Sequence, residues 1–167
     1  IFGSIIIVFC TAMLQYVFPR IYTELSSKTV NYRSIRKHFM IYLIAMAAGT
    51  LLIILFTPLM YRFFINERYH PALDYIYILC IGYFLWSVSY FFYSFLLYNK
   101  EKRKILILSI CCIAVSLGFN YFFIRSGKAY DAALAVCISY AVVFLLSLAF
   151  TSSYWTKLYD KHASKQS

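Results

Sequence analysis

The stretch 96-LLYNKEKRKI-105 sets four basic side chains and one acidic one between two long apolar runs. A cluster of this kind belongs to a nucleic-acid patch, a solvated turn, or the inner end of a membrane hairpin. Composition decides among them. Of 167 residues, 63% are hydrophobic and 13% charged, whereas soluble domains sit near half apolar and about a quarter charged. A single soluble core of this size leaves too many side chains facing water to hide that much apolar surface. The chain is therefore read as embedded in lipid. Its net charge of +10 does not revive the nucleic-acid reading, because such modules gather Lys and Arg on one folded polar face. Here the basic residues fall almost wholly in short gaps between apolar segments. Membrane lipids, not nucleic acid, are the expected partners.

A helix needs roughly 20 apolar residues to cross the hydrocarbon core. Five segments approach that length: about 1–18, 39–61, 71–98, 105–124 and 129–155. The predicted architecture is an all-α, polytopic membrane bundle occupying residues 1–155, with 156–167 as a polar tail. The polar interruptions between the last four segments are short. That fits antiparallel hairpins, since irregular backbone exposed to lipid leaves polar groups unsatisfied.

Orientation follows from where the basic residues fall. Arg20, Lys28, Arg33, Arg36 and Lys37 occupy the gap 19–38, Lys100, Lys102, Arg103 and Lys104 the turn 99–104, and Lys157, Lys161 and Lys165 the tail. The alternate gaps hold Arg62, Arg68, Arg125 and Lys128. Twelve against four places NKEKRK, the first gap and the C-terminus in the cytoplasm, where anionic headgroups attract them. With five spans, Ile1 then lies near the outer face. The opening IFGSIIIVFC has neither an initiator Met nor a basic start, unlike a signal peptide. It reads as a helix cut in mid-protein, with further spans expected upstream. In the first gap, SSKTVNYRSIRKHF is expected as a short surface helix capped by Ser27 or Thr29, or else as a plain loop.

Chemistry-bearing residues are sparse. Cys10, Cys80, Cys111, Cys112 and Cys137 lie inside apolar runs, odd in number, and read as packing residues rather than a disulfide framework. His38, His70 and His162 are scattered without ligand spacing, so neither metal nor cofactor is expected. Asp74, three residues after Pro71, suits a helix N-terminus. Tyr61, Tyr98, Tyr154 and Trp155 at span ends read as interfacial anchors. Tyr83, Ser87, Tyr90 and Ser94 share one helix face, and Ser109, Cys112, Ser116 and Asn120 share another. Ala132, Ala133, Ala135, Cys137 and Ser139 form a small-residue surface on the fifth span, and Ala45 with Gly49 pair on the second. The bland account of these stripes is close packing of helices with hydroxyls bonded across them. The functional alternative is a hydrated cavity wall that passes a polar substrate, with Tyr83, Tyr90 and Asn120 as candidates.

The stretch NYFFIRSGKAYDAALAVCISYAVVFLLS, residues 120–147, resembles the last hairpin of polysaccharide flippases of the Wzx type. Asn120, Ile124, Gly127, Ala132, Ala133, Ala135, Ser139 and Tyr140 carry the likeness. Asp131 replaces the second turn glycine of that pattern, and Lys128 reads as an insertion. Upstream, VFPRIYTEL resembles the family's proline after its eighth span, PLMYRFFINERYHPALDYIYILCIGYF its loop into the tenth, and LLYNKEKRK its basic turn into the eleventh. The resemblance implies spans eight to twelve of a twelve-helix, MATE-like transporter. The N-terminal lobe of the same transporter would be its structural partner. The implied activity is transfer of undecaprenyl-diphosphate-linked oligosaccharide across the inner membrane for O-antigen, capsule or related polymers. In that family the eighth span faces the cavity, which makes Gln15, Thr11 and Tyr16 candidates, and Arg20 a candidate for the diphosphate. The plainer role for Arg20 is a positive-inside anchor.

Rival readings are a drug or cation antiporter or lipid II flippase of the same superfamily, a membrane-embedded polysaccharide polymerase or acyltransferase, and a purely structural subunit. An antiporter calls for a carboxylate inside a span, and these spans hold none at mid-depth. A polymerase of this kind calls for a large outer loop, and the gaps 62–70 and 125–128 are short.

Overall fold

A computed structural model describes residues 2–26, 32–64, 73–124 and 129–163. They form five α-helices: α1 (Phe2–Ser26), α2 (Tyr32–Phe64), α3 (Leu73–Tyr98), α4 (Lys102–Ile124) and α5 (Ala129–Ala163). All five are long and apolar enough to cross a membrane, which marks the chain as a multi-pass membrane protein. The turn at NKEKRK joins α3 to α4 as expected. The links at 27–31, 65–72 and 125–128 lie outside the described residues, and with them Ser27, Thr29, Gly127 and Lys128.

Helix ends overrun several apolar boundaries. The first apolar segment stops at Pro19, yet α1 continues through that proline to Ser26. Pro19 removes one backbone donor, but leaving the helix at membrane depth strands more polar groups than it saves. Thr23 Oγ1 donates back to the Pro19 carbonyl at 2.8 Å, within the continuing helix. The second helix begins at Tyr32 and runs through Pro58. At 1.5 Å per residue its 33 residues measure about 50 Å, so the basic turn with Arg33, Arg36 and Lys37 extends a single rod instead of forming a separate surface helix over 32–38. Residues 156–163 likewise continue α5.

The α3–α4 turn is a Schellman closure. Glu101 N–H donates to the Leu96 carbonyl and Lys100 N–H to the Leu97 carbonyl, both at 3.1 Å. Lys100 takes the left-handed position that this closure requires, with φ of 54°. Four tightly spaced residues thus satisfy the end of α3 and start α4 at once.

On α1 and α2 the core follows one stripe per helix, whereas α3 is buried on several sides. On α1, Ile6, Cys10, Leu14, Val17 and Ile21 are buried at spacings of three and four, the repeat of one helical face. On α2 the buried positions are Ile35, Tyr42, Met46, Thr50, Thr57 and Tyr61. Tyr61 is thus a core residue, not the headgroup-facing anchor expected of it. Central α3 packs against all four other helices, while α4 rests mainly on α5. Phe91 sits at the middle, its ring centroid 4.7 Å from Phe39, 5.4 Å from Tyr42 and 5.9 Å from Phe18. Outward faces stay apolar: Val8, Ile44, Phe63, Leu117 and Phe122 are all largely exposed, as lipid-facing side chains must be.

Two close approaches fall at glycines. A Cβ on Gly82 of α3 would lie 3.1 Å from the backbone Cα of Cys137 on α5, so this site sets the spacing of the most extensive helix pair. Its neighbours there are Cys137 and Tyr140, and Ala133, Ala135 and Ser139 on the same helix are buried. Gly49 on α2 faces the Phe9 ring, whose Cε1 would be 2.7 Å from an added Cβ.

A polar thread ties three helices together in this core. Tyr42 Oη of α2 donates to the Ser87 carbonyl of α3 at 2.8 Å. Its proton is thereby committed, so the Cys10 thiol of α1, 3.3 Å away, is the donor in that second contact.

Candidate functional site

Hydroxyls buried at membrane depth bond where they can, and in these helices most donate to their own backbone. Ser87 donates to the Tyr83 carbonyl, Ser94 to Tyr90, Ser139 to Ala135 and Thr151 to Ser147. Ser87, Ser94 and Ser139 are also buried. Much of the serine stripe on α3 and α5 is therefore packing, not a cavity wall.

The edge of this stripe at Tyr90 opens outward. Trp86, Tyr90 and Tyr93 recur at spacings of four and three, with ring centroids 5.4 Å apart for Trp86–Tyr90 and 5.8 Å for Tyr90–Tyr93. Tyr90 is 40% exposed. On one side of these rings, α1 closes a groove of about 320 Å³ lined by Cys10, Thr11, Leu14, Gln15, Phe18, Trp86 and Tyr90. On the other, α4 and α5 enclose a cleft of about 350 Å³, to which Trp86 and Tyr90 also belong. The two hollows therefore meet along one aromatic ridge. The groove lies near the middle of the spans Ser4–Ser26 and Tyr75–Tyr98.

The groove brings together three residues expected from sequence: Thr11, Gln15 and Tyr90. Thr11 Oγ1 donates to the Ile7 carbonyl at 2.9 Å, leaving it free to accept. In the groove the Gln15 amide, the Tyr90 hydroxyl and the Trp86 indole N–H have no hydrogen-bond partner among the described residues, nor does the Tyr93 hydroxyl on the cleft side of the ridge. Four unspent polar groups beside aromatic faces make a surface suited to a hydroxyl-rich ligand, with ring faces for its apolar edges.

The remaining candidates lie elsewhere. Tyr16 is largely exposed on α1 and does not line the groove; the Arg20 guanidinium rests over its ring at 4.2 Å. A guanidinium held on an aromatic face keeps its donors available at the rim. Tyr83 is half-buried between α3 and α5, its ring 5.6 Å from that of Tyr140. Asn120 Nδ2 donates to the Ser116 carbonyl at 2.8 Å, so its amide serves α4 itself. Trp86 and Tyr93 did not stand out in the sequence. Their spacing with Tyr90 was legible there, but a chain with 17 Tyr and 16 Phe supplies many such triplets.

Near the basic end, Ser34 Oγ donates to Glu24 Oε1 at 2.9 Å, linking the end of α1 to the start of α2. No group of three or more metal-ligating side chains occurs among the described residues. No protein-family model, curated protein or solved structure matches the chain. Function is therefore read from the groove and its surroundings.

Proposed function

We propose that the chain belongs to a flippase that moves an undecaprenyl-diphosphate-linked oligosaccharide across the bacterial cytoplasmic membrane for surface polysaccharide synthesis. It is a transporter rather than an enzyme, and forms five helices of the C-terminal lobe of a twelve-helix, MATE-like bundle whose N-terminal lobe faces the aromatic ridge. The NKEKRK turn and the C-terminus lie on the cytoplasmic side, in keeping with the distribution of basic residues.

One observation carries the reading: a mid-membrane groove in which Gln15, Tyr90 and Trp86 offer unspent hydrogen-bonding groups beside exposed rings. A saccharide cannot cross hydrocarbon without a polar path, because each unsatisfied hydroxyl there costs several kcal/mol, on the order of 4–8 on an alkane scale. Amide and phenol groups substitute for its water, and aromatic faces cover its C–H surfaces. Arg20, held on Tyr16 near the basic end, is the cation placed to meet the diphosphate as it enters.

The test is leaflet exchange of a lipid-linked sugar in vesicles containing the protein. Gln15→Leu and Tyr90→Phe lower the exchange rate, while Ile44→Leu on the lipid-facing side of α2 leaves it unchanged. Correctly folded protein that fails to alter the leaflet distribution rules the transport reading out. Introduced cysteines at 99–104 react with an impermeant reagent only from the cytoplasmic side; labelling from outside inverts the topology.

A further inference from the structure

The cleft on the far side of the aromatic ridge repeats the chemistry of the groove. To it α3 gives Ser89, Tyr90 and Tyr93 beside Trp86, α4 gives Ser109 and α5 gives Ser147. Three of these hydroxyls are set apart by what they do not bond. Every Ser and Thr side chain described on α3 and α5 donates to a carbonyl of its own helix. That is the ordinary resolution at membrane depth, where lipid offers no acceptor. Ser109 of α4 is exposed and has no hydrogen-bond partner among the described residues. The phenols divide in the same way. Tyr22 and Tyr42 donate to backbone carbonyls of α3, whereas the Tyr90 and Tyr93 hydroxyls have no partner among the described residues.

These groups surround one hollow inside the spans. Ser109 stands five residues beyond Lys104 on α4, about 7.5 Å along the axis, so the cleft lies at hydrocarbon depth on the side of the basic turn. An unpartnered hydroxyl there is costly, and three around one hollow favour a polar occupant. Ser89 and Ser147 have committed their protons but still accept. The cleft therefore presents donors, acceptors and ring faces together. Its volume of about 350 Å³ and the groove's of about 320 Å³ each sit at the small end of ligand pockets, which run from about 300 to 1,000 Å³. Trp86 and Tyr90 border both hollows, so a ligand too long for one continues over the ridge into the other.

We propose that the α3–α4–α5 cleft is a second saccharide subsite, and that a ligand of at least two linked sugar rings straddles Trp86 and Tyr90 with one ring in the groove and the next in the cleft. This rests on the transport reading for the class of ligand and adds to it a minimum length. Gln15 and Thr11 serve the first ring, Tyr93 and Ser109 the second, and the shared rings cover the C–H surfaces between them.

Trp86 is itself the reporter. The chain has two tryptophans, so Trp155→Phe leaves Trp86 as its sole indole. In phosphatidylcholine nanodiscs, which leave both membrane faces open, the protein is titrated with glucose, galactose and N-acetylglucosamine, and with the 1,4-linked disaccharide of each. At least one disaccharide is expected to saturate a change in indole emission at about tenfold lower concentration than its monosaccharide, the worth of one or two net hydrogen bonds. In that pair, Ser109→Leu fills the cleft and abolishes the gain. The double variant Tyr93→Phe with Ser109→Ala deletes both cleft hydroxyls at little change in volume and narrows it, and this variant decides where Ser109→Leu fails to fold. Ile44→Leu on the lipid face preserves the gain. Equal affinities within all three pairs, no saturable change with any sugar, or a gain that survives in these cleft variants overturns the proposal. The readout needs no leaflet exchange. A disaccharide gain without exchange sinks only the transport reading, and exchange without the gain sinks only the second subsite.

Discussion

Replacing Tyr42 by Phe isolates a single interhelical hydrogen bond. The ring remains, with its contact to Phe91 at 5.4 Å, and only the hydroxyl that donates to the Ser87 carbonyl is lost. In a bilayer such bonds are worth about 0.6 kcal/mol on average and up to about 1.7. Tyr42 is fully buried and its bond is short, which favours the upper half of that range. Two features limit the loss. The Ser87 carbonyl lies within α3 and keeps its helical partner, so it is not orphaned. The group left without an acceptor is the Cys10 thiol, a weak donor. The expected cost is therefore about 1–1.5 kcal/mol, up to roughly tenfold in the unfolding equilibrium. Reversible unfolding in mixed micelles, followed by helicity at increasing SDS fraction, reads it directly. Ser87→Ala is the decisive control. The Ser87 hydroxyl donates to Tyr83, so truncating it leaves the Tyr42 bond in place, and the two changes add without coupling. A Tyr42→Phe cost below about 0.3 kcal/mol, or coupling of the pair above about 0.5 kcal/mol, refutes this account of the thread.

Two further outcomes follow from backbone geometry. Lys100→Gly relieves a left-handed residue and stabilises the folded state by about 0.5–1 kcal/mol, whereas Lys100→Ala, which keeps the Cβ, does not; the same SDS titration separates them. Gly82→Leu drives α5 from α3 and costs about 1–3 kcal/mol as overpacking. Gly82→Ala stays within about 1 kcal/mol of the parent, because its gain in helix propensity offsets a displacement of α5 by tenths of an ångström.

Much of the architecture was readable along the chain. Five apolar stretches and short basic turns define a helical membrane protein, because backbone polar groups in hydrocarbon leave almost no other solution. The small residues of α5 likewise announced a close helix contact, and Gly82 proved to be the other half of it. The ends of the helices were less legible. Pro19 reads as a stop in water, but α1 passes through it where unwinding exposes backbone to lipid.

Within the candidate site, Thr11, Gln15 and Tyr90 were singled out from sequence and do share one groove, while Tyr83 and Asn120 turned to neighbours or to their own helix. The chain determined by itself that it would be helical, five times membrane-length and basic at one set of turns, since these depend on composition and on the cost of bare peptide groups in oil. Tertiary structure alone decided which face of each helix meets protein and which meets lipid. Both faces are apolar in a membrane, so the periodicity that separates inside from outside in water carries almost no information here. The groove and the cleft beside Trp86 exist only because α1, α4 and α5 pack around α3 in one particular rotation.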